Sequence, residues 1–137
     1  MRKIVLASHG EYAKGLLDSA KMVLGPLADG VMAYSMYPGD SAEDYAAELE
    51  AEIRNNPCDE YIIIADIFGA SVCTAMSRLT VYENTRVFTG MSFSMLLELL
   101  AGYPNPLSRE DVNALLEVSR AGIRQVDIKE TEEAEDF

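Results

Sequence analysis

His9, the single histidine of this 137-residue chain, is the side chain best suited to nucleophilic chemistry. It ends an apolar run and stands directly before Gly10 in the stretch VLASHG. A neutral imidazole is a good nucleophile towards phosphorus. A carboxylate that bonds one ring nitrogen fixes the tautomer, so that the other nitrogen presents its lone pair. The sequence must therefore supply a carboxylate near His9 if the ring is to act in this way.

Asp66 and Ser71 follow the most strongly apolar run of the chain, YIIIA at Tyr61–Ala65. Asp66 is the natural candidate to orient the His9 ring. The Ser71 hydroxyl, with backbone N–H groups near Ala70 and Ser71 at a helix start, would donate hydrogen bonds to a phosphoryl group. These residue types suit phosphoryl transfer through a histidine, provided that the fold brings them together.

Two glycines, Gly10 and Gly69, lie beside these candidates and would let the backbone approach a phosphoryl group without a Cβ atom in the way. Each candidate also has a purely structural interpretation. Asp66 and Ser71 are good helix N-caps, the glycines are ordinary turn residues, and a lone histidine after a strand is often a surface residue. Residue type and spacing leave both interpretations open.

Other kinds of site have little support. The sequence contains no P-loop pattern and no GxGxxG pattern that would cradle a nucleotide. One histidine and two separated cysteines, Cys58 and Cys73, do not suggest a transition-metal site. The cysteines form no CxxC motif and are expected to be free thiols. We therefore predict that the protein uses no cofactor.

The charge balance and the lengths of the apolar runs indicate which partners and locations are unfavourable for the protein. Acidic residues outnumber basic ones by 23 to 11, for a net charge of −12. Such a surface repels nucleic acid and favours basic or neutral partners. No apolar run approaches the roughly 20 residues that a membrane-spanning helix needs. The first ten residues also lack the longer apolar run of a signal peptide. These features predict a cytoplasmic protein.

The chain length suits one domain, and the sequence shows no linker or internal repeat. Residues 1–128 are predicted to form that domain. Residues 129–137 carry five carboxylates and are predicted to be a disordered, solubilising tail.

Short apolar runs alternate with longer stretches in which apolar residues recur at helical spacing. Strands are predicted at Lys3–Ala7, Val31–Met36, Tyr61–Ala65 and Arg86–Thr89, with a terminal strand at Ile123–Ile128. A helix follows each of the first four strands, and a fifth helix precedes the terminal strand. Ser41 and Ser108 are predicted to cap two of these helices, and Gly25-Pro26 to end the first. The order predicts an α/β three-layer sandwich with a mainly parallel sheet.

In such sheets the ligand crevice lies beyond the carboxyl ends of the strands, where the strand order reverses. For the flavodoxin-like order 2-1-3-4, that point lies between the first and third strands. The loops after those strands are Ser8–Gly10 and Asp66–Ser71. The predicted fold therefore places the sole histidine beside the polar end of the YIIIA strand, which is the strongest topological support for a site there.

The chain resembles the enzyme IIA domains of the mannose-class sugar phosphotransferase system over essentially residues 1–128. The resemblance rests on four stretches: ASHGEYAKGLLDSAKMVLG, YPGDSAEDY, IIIADIFGASVCTAMSRL and FTGMSFSMLLELL. The histidine–glycine start, the Pro-Gly-Asp turn and the Asp-x-x-Gly-x-Ser loop occur in the family's order and at compatible separations. Together these motifs are a specific signal.

The resemblance implies that His9 accepts a phosphoryl group from the phosphohistidine of the carrier protein HPr. It would pass the group to a IIB domain, which phosphorylates sugar entering through membrane permease subunits. Asp66 would hydrogen-bond the imidazole, and Ser71 would contact the phosphoryl group. Family members are homodimers that exchange the C-terminal strand, here Ile123–Ile128, as an antiparallel edge strand. The relay needs neither metal nor nucleotide.

The sequence departs from the family pattern at two places. Relatives usually have Gly-Gly-Ser-Pro in the third loop, where this chain has Gly69-Ala70-Ser71-Val72. The loss of proline removes a rigid helix start. Relatives often have Gly-Val-Asn-x-Pro-Met after the fourth strand, where this chain has Gly90-Met91-Ser92-Phe93-Ser94-Met95. Ser92 replaces an amide, which bears on partner fit or sugar class more than on phosphorylation.

Two other functions compete with the relay. The phosphocarrier subunit of dihydroxyacetone kinase shares the fold and the histidine, but would deliver its phosphoryl group to a kinase-bound nucleotide. The Pro-Gly-Asp turn and the helix after Gly10 favour the mannose class over it. A regulatory or dimerisation module would use the same site without onward transfer.

Overall fold

A four-stranded parallel sheet forms the centre of the computed structural model, which describes residues 1–129. The strands are β1 (Arg2–His9), β2 (Met32–Met36), β3 (Glu60–Ala65) and β4 (Thr85–Phe88). The helices are α1 (Tyr12–Leu24), α2 (Ala42–Asn55), α3 (Ser71–Ser77), α4 (Phe93–Ala101) and α5 (Arg109–Ala121). Short 3₁₀ turns follow α1 at Gly25–Ala28 and α3 at Arg78–Val81. Within residues 1–129, no helix combines the length and the apolar character needed to cross a membrane.

The strand order is β2-β1-β3-β4, and every neighbouring pair is parallel, which confirms the predicted topology. β1 is central because it pairs with β2 on one side and β3 on the other. Ala7, for example, lies opposite Tyr34 of β2 and Ala65 of β3. The strand order reverses between β1 and β3, so the loops that follow these strands open onto the same edge of the sheet.

Alternate residues of each strand face two separate hydrophobic cores. On β1, Ile4 and Leu6 face the core that contains α1, α4 and α5, whereas Val5 and Ala7 face the core beneath α2 and α3. All six residues of β3 are buried. Covering both faces of a parallel sheet explains the unbroken apolar run YIIIA, because neither face of that strand meets water.

The predicted serine caps are confirmed. The Ser41 hydroxyl accepts a hydrogen bond from Asp44 N–H at 3.3 Å, at the start of α2. Ser108 and Asp111 form a full capping box at the start of α5, in which each side chain bonds the other residue's N–H. These local bonds satisfy N–H groups that have no acceptor within the helix.

The predicted terminal strand at Ile123–Ile128 does not form within a single chain. Residues 124–127 adopt no regular secondary structure, and the sheet contains four strands among residues 1–129. A strand exists through hydrogen bonds to a neighbouring strand, and the predicted neighbour belongs to a second copy of the chain. Exchange between copies stays a prediction. The predicted tail, apart from Lys129, lies outside the described residues.

Candidate active site

β1 continues past its apolar run and ends at His9, because Ser8 and His9 still pair with Ser35 and Met36 of β2. Gly10 then turns the chain with φ of 54°, in the left-handed region that favours glycine. The Gly10 N–H donates to the Met36 carbonyl at 2.7 Å. The backbone of His9 is therefore held at the strand end, while its side chain remains 43% exposed.

Asp66 directly follows β3 and holds His9 through both the backbone and the ring. One carboxylate oxygen, Oδ2, accepts from His9 N–H at 2.9 Å and lies 2.8 Å from His9 Nδ1. The other, Oδ1, accepts from Ile67 N–H at 3.0 Å. Because an ionised carboxylate can only accept hydrogen bonds, Nδ1 is the protonated nitrogen of the neutral ring and Nε2 presents the lone pair.

Two opposing effects set the ionisation of Asp66, whose side chain is 6% exposed. Burial raises the pKa of this carboxyl. The hydrogen bonds from the His9 backbone, the His9 ring and Ile67 N–H outweigh burial, so the pKa lies below its ordinary value. Asp66 is therefore a carboxylate at neutral pH and keeps its ability to accept from Nδ1.

Ser71 lies on the other side of the imidazole ring. Its Oγ is 3.2 Å from His9 Nε2, and the hydroxyl donates because Nε2 holds a lone pair. Ser71 is the first residue of α3, and the N-cap residue is Ala70, which makes no side-chain cap bond. Interpreting Asp66 or Ser71 as a helix cap is therefore wrong. Both side chains are directed at His9.

The remaining predicted residues surround this trio. Gly69 has φ of 82°, so glycine is favoured there, as at Gly10, by the backbone conformation. A Cβ atom at either glycine would meet no protein atom within 4 Å. Ser8, which precedes the histidine, is fully buried, and its hydroxyl accepts from Ala13 N–H at 2.7 Å. Ser8 therefore supports the start of α1 and is not available to a substrate.

Sequence reasoning missed a set of side chains that join the surrounding loops. The Tyr12 hydroxyl donates to the Met91 carbonyl at 2.6 Å. The Tyr37 hydroxyl donates to the Glu11 carboxylate and accepts from the Lys14 ammonium. Contacts between loops distant in sequence leave no periodic signal. The single hint was Tyr37, in a turn where loops usually carry small polar residues.

The polar groups at the site are one imidazole, one carboxylate and one hydroxyl. Among residues 1–129, no three His, Cys, Asp or Glu side chains come together in a group that could hold a metal ion. What the geometry provides is an imidazole with Nδ1 bonded to a buried carboxylate and Nε2 facing a hydroxyl at the surface. Such a ring is prepared for nucleophilic attack through Nε2.

A protein-family model described as "PTS system fructose IIA component" (EIIA-man) matches residues 3–116. The chain belongs to this family. It is thus a IIA component of the mannose class of sugar phosphotransferase systems, as the resemblance of its motifs predicted. His9, Asp66 and Ser71 all lie within the matched residues.

Curated relatives agree with this assignment. The chain is 30% identical over 134 residues to the mannose-specific EIIAB component of Escherichia coli K12, a match covering 96% of this chain and 41% of that protein. The IIA chain therefore spans less than half the length of that relative. It is 31% identical over 109 residues to the sorbose-specific EIIA component of Klebsiella pneumoniae, covering 79% of this chain and 78% of that one.

Solved structures share the fold. A phosphotransferase system component EIIA from Streptococcus agalactiae matches with a TM-score of 0.78 and 26% identity, covering 91% of this chain and 97% of that one. A mannose/sorbose-specific IIA subunit from Enterococcus faecalis matches with a TM-score of 0.77 and 26% identity, covering 93% and 96%.

Proposed function

We propose that this IIA chain relays a phosphoryl group, with His9 accepting it from the phosphohistidine of HPr and passing it to a histidine of a IIB domain. Membrane permease subunits take part indirectly, because IIB delivers the group to the entering sugar. The observation that carries the proposal is the His9 ring, with Nδ1 at 2.8 Å from Asp66 and Nε2 at 3.2 Å from the Ser71 hydroxyl. A ring held in this way offers one nucleophilic nitrogen to phosphorus.

The transfer to His9 is a displacement at phosphorus. The Nε2 lone pair forms the new N–P bond, and the N–P bond of the donor breaks with its electron pair returning to the donor's ring. His9 keeps its Nδ1 proton, so the phosphorylated ring carries a positive charge that the Asp66 carboxylate stabilises. The onward step repeats the displacement: the IIB histidine attacks phosphorus, and the Nε2–P electron pair returns to His9.

The phosphoryl oxygens need donors once the bond to Nε2 has formed. The Ser71 hydroxyl, which bonds Nε2 before transfer, turns to a phosphoryl oxygen when the lone pair is used. The Ser71 N–H lies at the start of α3, where N–H groups lack intrahelical acceptors. The Ala70 N–H donates to the Ile67 carbonyl at 3.3 Å and would have to leave that bond to reach the group. The open space over Gly10 and Gly69 leaves room for the group.

We also propose that the functional form is a homodimer built by exchange of residues 123–128. Ile123, Val126 and Ile128 are 83%, 78% and 75% exposed in the single chain, an unusual arrangement for three aliphatic side chains so close in sequence. β4 is one of the two outer strands of the sheet formed by residues 1–129, and it lies next to a groove of about 520 Å³ lined in part by Phe88 and Ile123. A strand from a second copy would pair with such an edge.

Light scattering on a size-exclusion column tests the dimer. The full chain is expected to elute with twice the chain mass, and a chain shortened after Gly122 with the monomer mass. A monomeric full chain would rule out the exchange.

The relay is tested by incubating the protein with phosphoenolpyruvate, enzyme I and HPr, and then with a mannose-class IIB domain. We expect an acid-labile phosphate on the wild type that discharges to IIB, and none on His9→Ala. A wild type that takes up no label would refute the relay. Label that discharges only to a nucleotide bound by dihydroxyacetone kinase would support that kinase's carrier function, and label that discharges to neither would support a regulatory module.

A further inference from the structure

The turn after β2 reaches across to the loop that carries His9. The Tyr37 hydroxyl donates to the Glu11 carboxylate. The Lys14 ammonium donates to the same hydroxyl at 3.2 Å and lies 5.2 Å from the centre of the Tyr37 ring. Its hydrogen bond to Tyr37 raises the pKa of Lys14, so the ammonium stays charged. One hydroxyl thus joins two side chains at the start of α1.

This contact directly follows the last backbone hydrogen bond between the ends of β1 and β2. The last backbone bond from the β1 end to β2 runs from Gly10 N–H to the Met36 carbonyl at 2.7 Å. Glu11 and Tyr37 are the next residues on the two sides. The turn that starts at Tyr37 is itself closed by Asp40, whose carboxylate accepts from Tyr37 N–H at 2.9 Å. The Tyr37–Glu11 hydrogen bond therefore extends the pairing of β1 and β2 through side chains, directly after His9 and Gly10.

The side chain of Glu11 is free to accept this hydrogen bond because it does not cap its own helix. Glu11 is the N-cap residue of α1, yet it makes no side-chain cap bond. The buried Ser8 hydroxyl accepts from Ala13 N–H in its place. Glu11, Lys14 and Tyr37 are all exposed, and exposed polar contacts contribute little to the free energy of unfolding. A role in holding local geometry suits this cluster better than a role in stability.

We propose that Tyr37 is a positioning residue of the relay: its hydroxyl, bonded to Glu11 and Lys14, fixes the loop after β1 so that His9 Nε2 faces Ser71. The inference rests on the proposed phosphoryl transfer and gives the Pro-Gly-Asp turn a function in it. Tyr37 acts through Glu11 and does not touch the reacting atoms. Small displacements of a reacting group cost rate, because attack needs close and aligned approach.

The test compares Tyr37→Phe with Tyr82→Phe. Tyr82 also donates to a carboxylate, that of Glu50, and its bond joins the 3₁₀ turn after α3 to α2 rather than to the His9 loop. Rates of labelling are measured over a range of phospho-HPr concentrations. We expect Tyr37→Phe to lower the maximal rate about tenfold without changing the half-saturating concentration, and Tyr82→Phe to change neither.

The second readout does not require phosphorylation. His9 is the sole histidine, so a nitrogen-15 spectrum of the imidazole shows this ring alone. We expect Tyr37→Phe to shift the ring signals and to speed exchange of the Nδ1 proton, while Glu11→Gln, which keeps an acceptor oxygen, stays close to wild type. Ring signals that match those of Tyr82→Phe would overturn the inference. A raised half-saturating concentration with unchanged ring signals would also overturn it, since Tyr37 would then contact the donor protein. If the wild type takes up no label, the relay fails, but the ring signals still decide whether Tyr37 positions His9.

Discussion

β1 and β3 are tied together by a side-chain pair at each end, and the two pairs differ in what they leave free. At the amino end, Arg2 Nε lies 2.6 Å from Glu60 Oε1, with side chains 14% and 5% exposed. At the carboxyl end, His9 Nδ1 lies 2.8 Å from Asp66 Oδ2, with the imidazole 43% exposed. The same cross-strand arrangement is enclosed at one end and open at the other.

The amino-end pair is saturated with partners. Arg2 also donates to the carbonyls of Tyr103 and Pro104 at 2.8 and 2.6 Å, and Leu107 N–H donates to the second Glu60 oxygen at 2.7 Å. The pair thereby fastens the connection between α4 and α5 to the sheet. At the carboxyl end, both oxygens of Asp66 accept hydrogen bonds, whereas His9 Nε2 faces the Ser71 hydroxyl, which can rotate away. Enclosing both partners gives stability, whereas leaving one nitrogen at the surface permits chemistry.

The largest expected effect comes from breaking the enclosed pair. Glu60→Ala leaves the Arg2 guanidinium without its carboxylate, and we expect the free energy of unfolding to fall by about 3 kcal/mol. Glu43→Ala is the control, because the Arg78–Glu43 pair is 68% and 50% exposed and should contribute less than about 1 kcal/mol. Urea unfolding measures both. Equal losses in the two variants would contradict the difference between enclosed and open pairs.

Removing the charge from the open pair should affect transfer rather than folding. Asp66→Asn puts an amide beside Nδ1, which no longer selects the tautomer with its lone pair on Nε2. We expect labelling by phospho-HPr to slow about 100-fold while the far-ultraviolet circular dichroism spectrum stays that of the wild type. Asp59→Asn is the matched control, because Asp59 directly precedes β3 at the other end of the sheet and pairs with the amino terminus and Lys3. An unchanged labelling rate in Asp66→Asn would show that Asp66 does not orient the His9 ring.

A smaller effect is expected from the hydroxyl that faces Nε2. Ser71→Ala deletes one donor to the phosphoryl group, which should slow labelling about tenfold, the effect of one hydrogen bond to a charged group. Ser77→Ala, in the same helix but bonded to the Cys73 carbonyl, is the control and should label normally. If both serine variants label at the wild-type rate, Ser71 has no part in transfer.

The smallest effect concerns the pH dependence of stability. The pKa of Asp66 is lowered by folding, so its stabilising contribution is fully present above the unfolded value of about 3.9 and is lost as pH falls through the folded value. The difference in unfolding free energy between wild type and Asp66→Asn should therefore shrink as pH falls below about 5. A difference that grows as pH falls below about 5 would contradict the lowered pKa.

The open end was predictable from sequence because its position follows from topology. Alternating apolar and amphipathic runs predict a parallel α/β sheet, and the flavodoxin-like strand order of such sheets places the residues after β1 and β3 together. The enclosed end was not predictable in the same way. The Arg2–Glu60 contact depends on the register that sets Arg2 opposite Glu60. Because β3 is buried on both faces, its sequence lacks the alternation of apolar and polar residues from which a register could be inferred.

Two further features lay beyond the sequence for different reasons. The Tyr37–Glu11 contact joins side chains of two loops, whose course no periodic pattern describes. The segment 123–128 has the composition of a strand, but the single chain offers it no place in the sheet. Its apolar residues predict a neighbouring strand, and both the strand and the neighbour stay predictions.

In the proposed relay, Asp66 reserves Nδ1 and leaves Nε2 as the nitrogen that receives the phosphoryl group. Phosphorus-31 and nitrogen-15 spectra of the protein labelled through HPr test it directly, because one histidine gives one set of ring signals. The predicted result is a phosphorus coupled to Nε2, with Nδ1 still protonated. A phosphorus coupled to Nδ1, or a label on any residue other than His9, would contradict it.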